Sequence, residues 1–268
     1  MLEIKHLTKV YKDGTVALND VSFTVQDGAF MVVIGLSGSG KSTLLRCINR
    51  LIDPTEGQIL WDGIDLTTLA GEELRKARRQ IGMVFQQFNL VKRSSVLTNV
   101  MAGRLGYAPT LSSVMDRFSQ EDQLLAKQAM QRMGITELAA KRADELSGGQ
   151  QQRVGIARAL MQEPKIILAD EPVASLDPVL AHSILTHLER LNKDDHITVL
   201  CSLHYLDLVQ RYGSQVIGLR AGKLVYEGSR EDIRRMSDEE FKRIYGEDAE
   251  RMGGLTGSVL DSRVEVES

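Results

Sequence analysis

The chain has 268 residues, of which 43% are hydrophobic and 26% are charged, and its formal net charge is −3. These values are typical of a globular protein that is long enough to bury a sizeable core. The slightly acidic overall charge disfavours nucleic acid as the main partner, although it does not exclude local basic patches. Cys47 and Cys201 lack CxxC spacing, which argues against a zinc site and against a disulfide framework.

Five segments of the chain have the patterns of β-strands. Residues 2–6 and 21–25 alternate apolar and polar side chains, which predicts half-exposed strands in an antiparallel layer. Residues 30–34, 166–169 and 197–201 are nearly continuous apolar runs, and such runs predict parallel strands that are buried on both faces. Apolar residues at helical spacing follow the first run and precede the last: Leu44, Leu45, Ile48 and Leu51, and Leu180, Ile184, Leu188 and Leu191. An α/β fold is therefore predicted.

Residues 87–164 are predicted to form a helical subdomain inserted into this core, because loop signals separate stretches of helical pattern. One helix is expected to begin at a capping box of Ser119 and Asp122 and to stop at Gly134. Its predicted apolar side is Leu124, Leu125, Met130 and Met133.

The end of the chain has its own signals. The turn at residues 221–222 predicts a hairpin, and Ser237 with Glu240 predicts a short helix that ends at Gly246. Residues 247–268 are rich in glycine and charge, which predicts a poorly ordered tail.

A glycine-rich loop lies between the first buried strand and its helix. Residues 35–42 have the form GxxxxGKS, and in this structural context the form predicts a phosphate-binding loop. Backbone N–H groups wrap the phosphates, Lys41 contacts the β and γ phosphates, and Ser42 binds Mg²⁺. A Gly/Ser linker is the alternative, but linkers seldom lie between a buried strand and an amphipathic helix. The predicted ATP contacts are Gly35, Ser37, Gly38, Ser39, Gly40, Lys41, Ser42 and Thr43.

Two adjacent carboxylates follow the buried strand at residues 166–169. At the carboxyl edge of a parallel sheet they would lie beside the phosphates. Asp170 is predicted to hold Mg²⁺, commonly through water, and Glu171 to polarise the attacking water as general base. An ordinary acidic turn before Pro172 is the alternative.

A second glycine-lined helix start lies at residues 147–150. Ser147 and Gln150 predict a capping box, with Gly149 in the first turn. This helix end also suits an anion, yet one nucleotide already occupies the first loop, so the pattern predicts two chains. A merely well-capped helix is the alternative.

The signature LSGGQ at residues 146–150, the preceding phosphate loop and LADEP at residues 168–172 resemble the ATP-binding cassette ATPases. The resemblance covers roughly residues 1–246. It implies a P-loop NTPase core with a mixed central sheet, an N-terminal antiparallel layer and the inserted helical subdomain. It also implies a second copy meeting the first head to tail around two MgATP, so that Ser147, Gly149 and Gln150 cap the γ-phosphate of the opposite chain.

The resemblance implies further site residues. Tyr11 lies where a ring stacks on adenine, and Gln86 where an amide contacts Mg²⁺ and the attacking water and links the core to the helical subdomain. Asp177 resembles the acidic residue that signals between the two sites, and His204 the switch histidine at the γ-phosphate. Taken alone, Tyr11 could be a strand residue, Asp177 an N-cap and His204 a structural histidine.

Within the family, residues 88–100, 103–106, 170–175, 202–208 and 216–222 resemble the phosphonate-importer ATPases. Importers of methionine and polar amino acids share most of this pattern and remain the alternative. The resemblance implies integral membrane permease subunits as partners and, indirectly, a substrate-binding protein that selects the compound. It places the chain at the cytoplasmic face of the plasma (inner) membrane, which agrees with an apolar run at residues 29–36 far shorter than the ~20 residues that cross a bilayer.

Two classes without transport are less consistent with the residues. A soluble cassette ATPase of DNA repair would have long coiled coils, and one of translation would have a second phosphate loop; neither pattern is present in the sequence. A phosphoryl-transfer kinase would leave LSGGQ and Glu171 without a role.

Overall fold

The structure is a computed structural model that describes residues 1–107 and 118–246. The predicted tail at residues 247–268 lies outside the described residues. The strands are β1 (Leu2–Val10), β2 (Val16–Val25), β3 (Phe30–Ile34), β4 (Glu56–Trp61), β5 (Ile64–Asp65), β6 (Ile81–Val84), β7 (Ile166–Ala169), β8 (Thr198–Ser202), β9 (Gln215–Arg220) and β10 (Lys223–Ser229). The helices are α1 (Lys41–Ile48), α2 (Gly71–Arg79), α3 (Val96–Met101), α4 (Gln120–Arg132), α5 (Gly148–Leu160), α6 (Pro178–Asp195), α7 (Leu206–Tyr212), α8 (Arg230–Arg234) and α9 (Asp238–Tyr245).

A mixed sheet of six strands forms the centre, in the order β10-β9-β3-β8-β7-β6. Strand β10 runs antiparallel to β9, and the other neighbours are parallel. Every residue of β3, β7 and β8 is buried, as expected when both faces of a parallel sheet are covered. The predicted α/β class with a mixed central sheet is confirmed.

The second sheet is antiparallel and has the order β2-β1-β4-β5, which confirms the predicted N-terminal layer. Together with α1 it covers one face of the central sheet, where Met31 and Val33 share its apolar cluster. Phe30 and Val32 belong to the cluster on the opposite face, with α6 and the helical segment between β6 and β7. Successive side chains of β3 therefore point into the two apolar clusters on opposite faces of the sheet.

Some details differ from the sequence prediction. Helix α1 ends at Ile48, and Leu51 is 49% exposed beyond it, while Leu124 is 56% exposed on α4. The buried positions of α4 are Ala126, Ala129 and Met130. Of the predicted apolar side, Met130 and Met133 are buried and Leu125 packs against the same core. A pattern based on large apolar residues does not reveal the two buried alanines.

Residues 56–79 contain β4, β5 and α2, and the sequence patterns do not predict these elements. Helix α2 has no buried residue, so apolar periodicity cannot find it. Helix α8 has only five residues, too few for a period to be recognised.

The described part of the segment between β6 and β7 contains helices and no strand pairing within a sheet. The capping box of Ser119 and Asp122 is present, and Gly134 has a φ of 63° directly after the C-cap of α4. Both observations confirm the predicted limits of this helix. Within the described ranges, each helix is too short or too polar to cross a bilayer.

A close backbone contact fixes the single turn Ala102–Arg104, directly after α3, against α5. A Cβ added at Gly103 would lie 2.0 Å from the carbonyl oxygen of Arg158 and 2.8 Å from the Cβ of Met161. We expect Gly103→Ala to lower the free energy of unfolding by about 2 kcal/mol, because the backbones must separate. Urea denaturation measures this change. Gly106→Ala is the control, since its Cβ would meet only Arg79 Cγ at 3.5 Å; equal midpoints for the two variants would contradict the close contact.

Candidate nucleotide site

The loop between β3 and α1 is held tightly against the rest of the core. Gly35 has a φ of 144° and Gly40 a φ of 108°. A Cβ at Gly35 would lie 2.2 Å from the carbonyl oxygen of Leu219, and one at Gly40 would lie 2.5 Å from that of Ala17. Helix α1 begins at Lys41 without a side-chain cap. Its first N–H groups are therefore free of a side-chain acceptor, which suits a helix start that binds an anion.

Lys41 is 3% exposed and lies under this loop. Its Nζ donates to the carbonyl oxygens of Gly35, at 2.9 Å, and Leu36, at 3.0 Å, and lies 3.7 Å from Oε1 of Glu171. Burial lowers the pKa of Lys41, although the negative charges of Glu171 and Asp170 oppose the shift. The two carbonyl oxygens thus hold the ammonium in the loop.

Asp170 is 1% exposed, and both of its oxygens are bonded to α1. Ser42 Oγ donates to Oδ1 at 2.7 Å, and Arg46 Nη2 donates to Oδ2 at 3.2 Å. The sequence reasoning missed Arg46, although its i,i+4 spacing from Ser42 places both residues on one side of the helix.

The oxygen ligands at this position fit Mg²⁺. Ser42 and Asp170 offer a hydroxyl and a carboxylate, which are ligands that this hard cation prefers. The described residues contain no group of three or more His, Cys, Asp or Glu side chains that could hold a metal. Mg²⁺ at nucleotide sites usually keeps several waters and binds substrate phosphates beside one or two carboxylates.

Glu171 contacts the predicted switch histidine directly. His204 Nε2 and Glu171 Oε1 are 2.6 Å apart. Glu171 has a φ of 46°, and its N–H donates to Ser202 Oγ at 2.8 Å. A left-handed non-glycine residue costs about 1–3 kcal/mol and is common at functional sites. The bond to Ser202 Oγ, an acceptor that sequence reasoning also missed, holds this backbone conformation.

Tyr11 lies directly after β1, beside α1. Its hydroxyl is 3.2 Å from Thr43 Oγ1, and the residue is 37% exposed. Lys9 Nζ lies 5.4 Å from the centre of the ring. A half-exposed ring anchored by its hydroxyl is available for stacking on a planar base.

The remaining predicted residues lie on other elements. Gln86 is exposed, two residues after β6. Ser147 and Gln150 form the predicted capping box of α5, and Asp177 caps α6 by accepting the N–H of Leu180 at 3.0 Å. None of the described hydrogen bonds of Ser147, Gln150 or Asp177 runs to the phosphate loop.

The starts of α5 and α6 are neighbours. A Cβ at Gly149 would lie 3.2 Å from Leu180 Cδ1, and one at Gly148 would lie 3.4 Å from Leu176 Cδ2. The signature and Asp177 are thus brought together, whereas the phosphate loop forms a second group with Asp170, Glu171 and His204.

Comparison with known proteins identifies similar chains. A family model described as ABC transporter matches residues 18–174. The chain is 51% identical over 261 residues to the Phosphonates import ATP-binding protein PhnC of Shouchella clausii (strain KSM-K16), covering 97% of both chains. It is 53% identical over 247 residues to the protein of the same name from Bacillus anthracis, covering 92% of this chain and 95% of the relative.

Solved structures share the fold. The dimeric structure of MJ0796, a bacterial ABC transporter cassette, gives a TM-score of 0.77 at 37% identity, covering 86% of this chain and 99% of that one. A dimeric post-hydrolysis state of the same cassette, bound to ADP and Pi, gives a TM-score of 0.76. The ADP conformation of MJ1267, an ATP-binding cassette of an ABC transporter, gives 0.79 at 31% identity, covering 91% and 97%.

Proposed function

The chain belongs to the ABC transporter family, and we propose that it is the ATP-hydrolysing subunit of an importer for phosphonates. The observation that carries hydrolysis is the 2.6 Å contact between Glu171 and His204, next to the buried ammonium of Lys41. A carboxylate oriented in this way can accept a proton from water, and the ammonium can neutralise phosphate charge. Binding of a nucleotide alone would not require the oriented carboxylate.

Each group has a specific task in this proposal. Backbone N–H groups of residues 35–40 and Lys41 bind the phosphates, and the Tyr11 ring stacks on the adenine. Ser42, Asp170 and Gln86 would hold Mg²⁺, which supplies Lewis-acid neutralisation of phosphate charge when bound. Glu171 accepts the proton of the attacking water, while His204 orients the Glu171 carboxylate and contacts the γ-phosphate.

A second copy completes the site. In one chain the phosphate loop and the signature form separate groups, and a nucleotide has only one γ-phosphate. We assign Ser147, Gly149 and Gln150 to the γ-phosphate held by the partner copy, and Asp177 to signalling between the two sites. One similar cassette is dimeric in two solved structures, and this supports the assignment of a second copy. ATP binds the closed pair better than the open pair, and this differential affinity drives the motion.

The transported compound contacts other subunits. Integral membrane permeases would receive the motion at the cytoplasmic face of the membrane, and a separate substrate-binding protein would select the compound. The assignment of phosphonate is supported by relatives that are about half identical over nearly the whole chain and carry that substrate in their names.

Growth of a strain that lacks this gene tests the proposal. With a phosphonate as the only phosphorus source, the strain should fail to grow, and the wild-type chain should restore growth. The Glu171→Gln chain should not restore it, because import depends on hydrolysis. Growth on inorganic phosphate and uptake of methionine should be unaffected.

If a strain that also lacks any second phosphonate system grows normally on phosphonate, phosphonate is not the transported compound. If methionine uptake is lost at the same time, the transported compound is methionine. Restoration of growth by Glu171→Gln would contradict the proposed base.

A further inference from the structure

A strained stretch of backbone follows Gln86. Phe88 has a φ of 56° and Asn89 a φ of 48°. Each left-handed non-glycine residue is disfavoured by contacts of its Cβ, and two in succession are rarer still. Neither residue lies in a helix or strand. Such a conformation persists only where surrounding groups hold it.

A single guanidinium holds both residues. Arg158 Nη2 donates to the carbonyl oxygen of Phe88 at 2.9 Å, and Nη1 donates to that of Asn89 at 2.6 Å. The rigid fork of an arginine matches two consecutive carbonyls in a way that a lysine ammonium does not. Arg158 lies on α5, the helix that begins at the signature. One side chain therefore connects the signature helix to the segment after Gln86.

The environment of Arg158 strengthens these bonds. Burial lowers the pKa of Arg158, and no charged neighbour contributes to the shift. The half-buried guanidinium has no carboxylate partner among the described residues, so it depends on its hydrogen bonds for compensation. The carbonyls of Phe88 and Asn89 provide them, so the fork and the strained backbone stabilise each other.

The face of α5 next to this segment is shaped to receive it. A Cβ at Gly148 would lie 3.8 Å from Cζ of Phe88, and one at Gly155 would lie 3.9 Å from the Phe88 carbonyl oxygen. Both glycines lie on the same side of the helix, seven positions apart. Phe88 thus lies along α5, with its ring near the first turn and its carbonyl near Gly155 and Arg158.

We propose that Arg158 is a positioning residue that holds Phe88 and Asn89 in the left-handed conformation and thereby fixes Gln86 relative to the signature helix. The inference rests on the proposed function, in which Gln86 contacts the attacking water. Without the fork, the two residues relax toward ordinary φ values and displace Gln86. The phosphate loop is unchanged, so turnover falls while ATP binding persists.

Arginine-to-lysine variants on one helix test this role. Arg158→Lys keeps the charge but loses the fork, and we expect kcat of the purified full chain to fall about tenfold, with KM for ATP within about twofold. Arg153→Lys is the matched control, because Arg153 also lies on α5 but donates to Ser183 Oγ at 3.2 Å. It should keep kcat within about twofold.

Substitutions at Asn89 test the backbone itself. The side chain is exposed, so Asn89→Gly and Asn89→Ala both delete the amide and differ mainly in the cost of a positive φ. We expect the glycine variant to keep kcat and the alanine variant to lose about threefold. The double variant Asn89→Gly with Arg158→Lys should have a kcat about threefold higher than that of Arg158→Lys alone. A purely structural role for Arg158 predicts no such recovery.

Amide hydrogen exchange gives a readout that does not depend on turnover. Exchange of residues 86–91 should be about tenfold faster in Arg158→Lys and unchanged in Arg153→Lys. Unchanged exchange and kcat in Arg158→Lys, or equal effects of glycine and alanine at Asn89, would overturn the positioning role. A wild-type chain that does not hydrolyse ATP would instead contradict the proposed function, together with the catalytic consequence assigned to Arg158.

Discussion

Replacement of Glu171 by glutamine is expected to abolish ATP turnover and to leave ATP binding intact. Glutamine preserves the shape of the side chain but cannot accept a proton from the attacking water. General-base catalysis contributes about 10²–10⁴-fold to a rate, so kcat should fall by at least about 100-fold. Lys41 and the loop glycines are untouched, and the Kd for ATP should change little.

The variant should also accumulate as an ATP-bound dimer, because hydrolysis is the step that reopens the pair. Steady-state phosphate release and size-exclusion chromatography with MgATP measure the two effects. Glu137→Gln is the control, since Glu137 is exposed on the turn Thr136–Leu138. Near-normal hydrolysis by Glu171→Gln would contradict the role of Glu171 as the general base.

The sequence predicts the phosphate loop and several helix starts because these features depend on local patterns. The phosphate loop requires glycines and a lysine at fixed spacing between a strand and a helix, and residues 35–42 meet both conditions. The capping boxes at Ser119 and Ser147 also involve groups only three residues apart. Such patterns constrain the backbone directly, and the structure confirms those helix starts.

Contacts between distant segments were not readable in the same way. Ser202 accepts the N–H of Glu171 across 31 residues, and Arg158 binds carbonyls about 70 residues away. A serine in a buried strand and an arginine in an amphipathic helix have many ordinary roles. Their partners are set by how the strands and helices pack, which no periodicity in one chain encodes.

The backbone strain at Glu171 is another feature that local sequence patterns do not predict. A positive φ at a glutamate contradicts local propensity, and no sequence pattern predicts it. Sequence reasoning placed Glu171 correctly after β7 but could not give the direction of its carboxylate. Functional sites are where local preference and final structure are expected to disagree.

Replacement of Lys41 by alanine is expected to reduce ATP affinity by about 100-fold, because a buried charge partner of the phosphates is removed. The Nζ is already desolvated and held by two carbonyls, so little ordering remains for ATP binding. Titration with a fluorescent ATP analogue measures the Kd. Lys165→Ala, an exposed position before β7, is the control. Retained affinity in Lys41→Ala would contradict the phosphate site.

The lowered pKa of Lys41 adds a pH dependence with a definite sign. Burial makes the ammonium lose its proton at a lower pH than an ordinary lysine. The neutral amine does not offset phosphate charge. The ATP affinity of the wild-type chain should therefore fall as the pH rises toward this pKa. The ATP affinity of Lys41→Ala should not show this pH dependence.

The same variant can show whether the signature acts on the partner copy. Lys41→Ala has an intact signature, and Ser147→Arg has an intact phosphate loop. If the sites are shared, a mixed dimer contains one complete site, and equal mixing should restore about a quarter of wild-type ATPase activity. A chain with both substitutions, mixed with Lys41→Ala, supplies no complete site and should remain inactive. No recovery in the first mixture would contradict a site that is shared between two copies.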